Sequence, residues 1–347
     1  MSGMEDDCPI AIDELRNLHG PLVDVRSPAE FLKGHWPGAT NLPLFNDEER
    51  VAVGTSYKQD GRIQAIHLGL RLAGPKMSAL ANKLEQFRGL DRPRIYCWRG
   101  GMRSVSMAWL AEQIDLKPLL LQGGYKAYRH WAQSRFDQPW PLRIIGGQTG
   151  TGKTDLLLAL NQKGVAVLNL EGLANHRGSS FGGLGLPDQP STEHYENLLA
   201  EVLDGYRQSN VRSIWLEAES IQVGRCRIPK SLFNQMRSAP VIEIRRSLPE
   251  RVKQLVEVYG HQSAKALADA THRISRRLGP QRTEQALGAI AQQDWTKACR
   301  VLLDYYDRCY DHALSHFSKP DSVDLTGQTA TEAADWLIGN KIVEISS

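Results

Sequence analysis

The sequence predicts an α/β protein of two domains: a parallel-sheet domain over residues 1–138, then a second parallel α/β domain over 139–347 built on a phosphate-binding loop and carrying a helical part at about 249–317. Three observations carry that expectation. The 347 residues exceed one average domain and suffice for two cores. Short apolar runs bounded by turn residues alternate with helical stretches in both halves. One stretch, between a strand-like run and a helical one, satisfies GxxxxGK[ST].

The elements follow in order. PLVDV (21–25) and RIYC (94–97) are short, apolar and followed by polar or glycine-rich turns, as the buried strands of a parallel sheet should be. The segment 46–74 between them reads as an insertion carrying helix, 102–113 as the helix leaving the second strand, and LKPLLLQGG (116–124) as a further apolar run. FDQPWPL (136–142), with two prolines and a tryptophan, interrupts the pattern and marks the boundary. LRII then opens the second domain, whose sheet is expected from VAVLNLEG, RSIWLEAES, PVIEIRR and SVDLTG. In its helical part Trp295, Ala298, Leu302, Tyr305 and Cys309 recur at spacings of three and four, an apolar stripe on one long helix.

Composition narrows the class of function. Hydrophobic residues are 41% and charged residues 23%, no run of eighteen apolar residues exists, and the opening MSGMEDDC is acidic where a secretory signal would be basic. A cytoplasmic protein without membrane contact is expected. Five cysteines, scattered without CxxC pairs, argue against a disulfide framework or a zinc site. A net charge of +3 is too small to announce a nucleic-acid binder, so local clusters must carry that case.

Gly147–Thr154 reads GQTGTGKT. Gly147, Gly150 and Gly152 let the backbone wrap with its N–H groups inward, the following helix offers the positive end of its dipole, Lys153 reaches outer phosphate oxygens, and Thr154 supplies a hydroxyl for magnesium. The loop grips a phosphate chain and is indifferent to what hangs from it, so ATP is not specified. Glu217 and Glu219 end a strand-like run, and either suits the acidic residue that orients magnesium-bound water, although a solvated strand end is an equal reading of each taken singly. The loop 175–185, NHRGSSFGGLG, brings His176 and Arg177 into a glycine- and serine-rich cover for the phosphates. Arg225, Arg227, Arg245 and Arg246 are candidates to neutralise a leaving diphosphate, although a surface ion pair is the plainer reading of each.

The second constellation is CWRGGMRS (97–104). Cys97 stands where a strand gives way to a loop and a helix N-terminus, so backbone N–H groups with Arg99 and Arg103 should stabilise a thiolate and raise its nucleophilicity. Gly100 and Gly101 let the loop curl around whatever the sulfur carries. An inert core cysteine is the plainer alternative, weakened by two glycines and two arginines in eight residues.

PLVDVRSPAEFLKGHWPGATNLPL (21–44) together with YCWRGGMRS resembles a rhodanese domain, whose cysteine carries sulfur as a persulfide. Arg103 lies six positions after Cys97, giving CxxxxxR, one residue more than many sulfur-transferring rhodaneses have. That longer loop resembles the rhodanese-related cell-cycle phosphatases, so the pocket should accept a tetrahedral oxyanion. A rhodanese domain followed by a P-loop domain, with YKQDGR and its downstream HLGL, LEGLANHRGSSFG and LEAESIQVGRCRIP, resembles the tRNA 2-selenouridine synthase family over nearly the whole chain.

The resemblance implies an enzyme that converts 2-thiouridine at the tRNA wobble position to 2-selenouridine with selenophosphate, through an S-geranyl intermediate made from geranyl diphosphate. It implies tRNA acceptors for lysine, glutamate and glutamine as partners, with magnesium assisting, and a monomer is expected. Arg273, Arg276 and Arg277 share a helical face suited to RNA phosphates, against the alternative of a solvated charged face. Trp98 is suited to stacking on an unstacked base. Two other classes compete: a cysteine phosphatase using Cys97, which leaves the P-loop unexplained, and a P-loop kinase with an inert rhodanese module, which leaves the intact CxxxxxR loop unexplained.

Overall fold

The computed structural model describes residues 9–209, 211–314 and 321–345. The chain divides into two compact units between Ser134 and Arg135, four residues ahead of the expected boundary.

In the first unit β1 (Leu22–Asp24), β2 (Thr40–Asn41), β3 (Arg94–Tyr96) and β4 (Leu119–Leu120) form a parallel sheet in the order β2-β1-β3-β4. Val23 pairs with Ile95 and Asp24 with Tyr96. Both residues of the first pair are fully buried because helices cover both faces, which is why these strands read as continuous apolar runs. Met107, Leu84, Leu42 and Leu44 pack in the same core. After β1 the chain is fixed by a buried ion pair, Arg26 Nη2 to Asp24 Oδ2 at 2.7 Å, with the Tyr125 ring 3.7 Å from the guanidinium carbon. The insertion forms two helices, Asp47–Gln59 and Arg62–Ala73. The first begins where Asn46 accepts from the Glu49 N–H at 2.8 Å and Glu49 accepts from the Asn46 N–H at 2.9 Å.

The second unit holds β5 (Leu142–Gly146), β6 (Ile214–Glu217), a short antiparallel pair β7 (Gln222–Val223) and β8 (Cys226–Arg227), β9 (Val241–Arg245) and β10 (Asp321–Asp324). Its parallel sheet runs β10-β9-β5-β6, over a core that includes Ile145, Leu157, Trp215, Ile244 and Leu325. Between β9 and β10 come four helices: Leu248–Tyr259, Ala264–Leu278, Pro280–Ala291 and Trp295–Leu314. Leu278, Ala286, Ile290, Ala298 and Leu302 give them a core of their own. The last residues of the expected helical part, 315–317, lie outside the described residues.

Two expectations need correction. VAVLNLEG is not a strand: it makes a single parallel bridge, Val167 to Trp215, and then turns into the helix Leu170–Ala174, started by Asn169 accepting from the Gly172 N–H at 2.7 Å. The side-chain amide competes with the ladder for the backbone, which apolar content alone does not reveal. The stripe on Trp295–Leu314 holds at Ala298, Leu302 and Tyr305, whereas Cys309 is exposed.

Candidate functional site

The thiol loop of the first unit lies between β3 and the helix Met102–Glu112. Cys97 is only 3% exposed. Its Sγ accepts from the Gly101 N–H at 3.2 Å and lies 3.2 Å from the Ser104 hydroxyl. The loop is held from behind by the helix Gly124–Phe136, where Tyr125 N–H donates to the Cys97 carbonyl at 2.8 Å and Lys126 N–H to the Trp98 carbonyl at 3.0 Å. Gly124 sits at φ +59°, and a Cβ there would meet the Cys97 carbonyl oxygen at 2.3 Å and the Gly100 nitrogen at 2.5 Å. Only glycine permits this approach.

The arginines do not converge on the sulfur. Arg103 donates from Nη1 to Glu30 Oε2 at 2.6 Å and from Nη2 to Glu30 Oε1 at 3.3 Å, because the helix Pro28–Lys33 carries that carboxylate to the loop's edge. The Glu30 carboxyl is partly buried, which raises its pKa, but the Arg103 partnership outweighs this and the net shift is downward. Arg99 is exposed, and the half-buried Trp98 ring packs 5.9 Å from that of Tyr125.

In the second unit the P-loop leads from β5 into the helix Lys153–Gln162, with Gly152 in the left-handed region at its start. Gly150, at φ +83°, would place a Cβ 2.7 Å from the Arg251 carbonyl oxygen, so the loop closes tightly against the helix Leu248–Tyr259. Lys153 Nζ rests on the Gly147 carbonyl at 2.6 Å, and the Thr154 hydroxyl donates to Glu171 Oε2 at 2.6 Å. Beside them Glu217, fully buried, accepts from the Leu170 N–H at 3.2 Å through one oxygen and leaves the other without a partner. Burial, reinforced by the nearby Glu171 carboxylate, pushes the Glu217 carboxyl up to about 8. The half-buried Glu219 carboxyl is displaced the same way, first by desolvation and then by Glu171.

A cavity of about 910 Å³ opens from this cluster. Thr149, Gly150, Lys153, Thr154, Glu171 and Glu219 form one part of its lining, while Leu255, Leu267, Ile274, Ile290, Trp295 and Leu302 belong to an apolar part within the helical region. Arg177 also lines it, donating to the Leu184 carbonyl at 3.1 Å. His176 does not line it; desolvation lowers its pKa, and its Nδ1 is buried without a hydrogen-bond partner.

Comparison with known proteins agrees with this architecture. The tRNA 2-selenouridine synthase AAA domain matches residues 140–341 and the rhodanese-like domain residues 11–130. The chain belongs to the tRNA 2-selenouridine synthase family. Relatives bearing that name include those of Hydrogenovibrio crunogenus, 35% identical over 90% of this chain and 93% of its own, and Alcanivorax borkumensis, 38% identical over 85% and 90%. That of Marinobacter nauticus is 36% identical over 85% of this chain and 88% of its own.

Within this synthase-family chain the expected residues fall into separate groups. Gly147, Gly150, Gly152, Lys153, Thr154 and Glu217 assemble around the P-loop. The shared arginine face is divided: Arg273 donates to the Ser180 carbonyl at 2.7 Å, Arg277 lines the cavity, and Arg276 faces a shallow groove with Pro280 and Leu287. Arg245 pairs with Glu243 at 2.9 Å, Arg246 donates to the Thr151 carbonyl at 3.0 Å, and Arg225 donates to the Gln189 carbonyl. Arg227 is exposed. Sequence reasoning missed Glu171, Gly124 and the aromatic lining of the cavity. Glu171 was hidden inside an apparent strand, and Gly124, although quoted in QGG, has no spacing relation to Cys97.

Proposed function

We propose that this chain replaces the sulfur of wobble 2-thiouridine in tRNA with selenium from selenophosphate, after first alkylating that sulfur with geranyl diphosphate. The single observation that supports the reading best is the cavity, phosphate-gripping at the P-loop and apolar beyond it, which fits a diphosphate carrying a hydrocarbon chain better than a polar nucleoside. Its volume of about 910 Å³ is ample for a ten-carbon chain.

In the first step the P-loop N–H groups and Lys153 hold the diphosphate as it leaves. Lys153 must give up the Gly147 carbonyl to do so. Magnesium fits the residues present: Thr154, Glu171, Glu217 and Glu219 are hard oxygen donors, and one Glu217 oxygen is buried without a partner. Among the described residues no three carboxylate, imidazole or thiol side chains form a cage, and magnesium does not need one, since it keeps waters and phosphate oxygens in its shell. When bound it offsets diphosphate charge.

Alkylation turns a poor leaving group, the thiocarbonyl sulfur, into one that departs as a thiol. In the second step selenium attacks C2 of the base, geranyl thiol leaves with the electron pair of the C–S bond, and hydrolysis of the Se–P bond releases phosphate. The thiol loop holds selenophosphate, with the Gly101 N–H and Cys97 at the anion and Arg103 exchanging Glu30 for it. Cys97 helps deliver the selenium.

The test is incubation with 2-thiouridine-containing tRNA and geranyl diphosphate, then selenophosphate, with nucleosides analysed by mass spectrometry. Geranylated and then selenated uridine is expected. Lys153→Ala should lower geranylation at least tenfold, roughly the worth of one lost charge-assisted contact to phosphate, and Cys97→Ala should spare geranylation and stop selenation. Absence of both products from the unsubstituted chain overturns the reading. Phosphate release from an aryl phosphate, lost in Cys97→Ser, would favour a phosphatase instead.

A further inference from the structure

The helix Trp295–Leu314 lines the cavity along one face, through Trp295, Ala298, Leu302, Tyr306 and Tyr310 among others. Fifteen residues at 1.5 Å rise separate its first and last aromatic lining residues, about 22 Å along the axis. Trp295 therefore belongs to the far part of the cavity and Tyr310 to the phosphate end. The Lys153 ammonium places that end directly: Nζ stands 5.8 Å from the centroid of the Tyr310 ring. The ring thus lies where the group held by the P-loop gives way to the apolar lining, and it already faces a cation.

An allylic diphosphate builds positive charge at its C1 carbon as the C–O bond lengthens, delocalised over the neighbouring double bond. With the diphosphate on Lys153 and the P-loop N–H groups, C1 comes next along the substrate, at the boundary the Tyr310 ring occupies. The negative face of an aromatic ring stabilises a cation there without offering a nucleophile that would capture it, as a carboxylate would. The ammonium now beside the ring is displaced toward the phosphate as substrate enters, and the developing carbocation takes its place.

We propose that Tyr310 is a catalytic residue of the alkylation step, its ring stabilising the allylic cation that forms as diphosphate departs. This rests on the geranyl diphosphate reading given above. In the step, the C1–O bond breaks with its electron pair going to the diphosphate oxygen, the sulfur of 2-thiouridine donates a pair to form the C1–S bond, and the N3 proton of the base is released to solvent. The ring gains and loses no bond. Its contribution grows with charge at C1, so it acts on kcat and leaves ground-state binding of the diphosphate largely alone.

The test uses the full chain with Tyr310 replaced by phenylalanine and by a series of progressively fluorinated phenylalanines, which weaken the negative face of the ring with little change in shape. Alkylation of 2-thiouridine tRNA by geranyl diphosphate is followed by mass spectrometry. Tyr310→Phe is expected to keep kcat within about threefold, and kcat should then fall stepwise with fluorination, by roughly tenfold across the series, with KM for geranyl diphosphate unchanged. Tyr310→Leu should lose at least as much, with its melting temperature recorded to show that it folds. An unsubstituted chain that alkylates, together with a flat fluorination series, overturns the role of Tyr310 alone. An unsubstituted chain that does not alkylate overturns the geranyl diphosphate reading and this role with it.

Discussion

Buried at the end of β6, the Glu217 carboxyl titrates near pH 8 because desolvation and the Glu171 carboxylate both oppose its charge. Between the ordinary carboxylate range and pH 8 the folded chain therefore binds a proton that the unfolded chain has released. The stability linked to this group is fully present below about pH 4.5 and is lost as pH rises to about 8. Glu217→Gln keeps the shape and an acceptor for the Leu170 N–H but carries no charge, so it should remove that loss. In the presence of a chelator, denaturant unfolding at pH 4 and 8.5 should find the two proteins alike at the lower value, and the variant more stable by roughly 3–5 kcal/mol at the higher. Equal pH dependence in both would show that the charge is compensated. Glu217 was legible in the sequence as a strand end after a P-loop. Its neighbour Glu171 was not, because the bridge at Val167 and the turn at Asn169 that bring it to Thr154 depend on tertiary pairing with Trp215. The partner of Arg103 was equally invisible, since Glu30 lies 73 positions away in the chain.

At the scale of elements, the thiol loop owes its shape as much to the helix Gly124–Phe136 behind it as to its own glycines. That helix gives its first N–H groups to the Cys97 and Trp98 carbonyls, and the contact is possible only because Gly124 lacks a Cβ. Gly124→Ala should force the loop outward from a carbonyl contact of 2.3 Å and cost about 2 kcal/mol or more at a left-handed position. The expected result is a lowered melting temperature and loss of selenation, with geranylation retained because the P-loop lies in the other unit. Loss of geranylation to the same degree would tie the two reactions together. The strands that aim both loops were legible from their apolar runs, as was the helical insertion at 46–74. The pair β7 and β8 was not, since two residues per strand carry no period.

At the scale of the whole molecule, each unit has a sheet and a core of its own, so the thiol loop and the P-loop rest on separate scaffolds. Proline and tryptophan punctuation places the expected boundary at 138/139, whereas the residues just before it hydrogen-bond within the second unit, which begins at Arg135. Gln235 donates to the Phe136 and Gln138 carbonyls at 3.0 Å each, Ser231 donates to Asp137 at 2.6 Å, and Arg135 pairs with Asp204 at 3.3 Å. Trp140 closes the turn by donating from its ring to the Arg135 carbonyl at 2.8 Å. A fragment beginning at residue 139 loses all of these and leaves Asp204, 6% exposed, without its Arg135 partner. A fragment beginning at residue 135 keeps them. The shorter one should be less stable by about 2–4 kcal/mol, which for a domain of this size lowers the melting temperature by roughly 5–10 °C. Calorimetry on the two fragments decides it: equal melting temperatures would return the boundary to the prolines, whereas the expected gap assigns 135–138 to the unit that carries the P-loop.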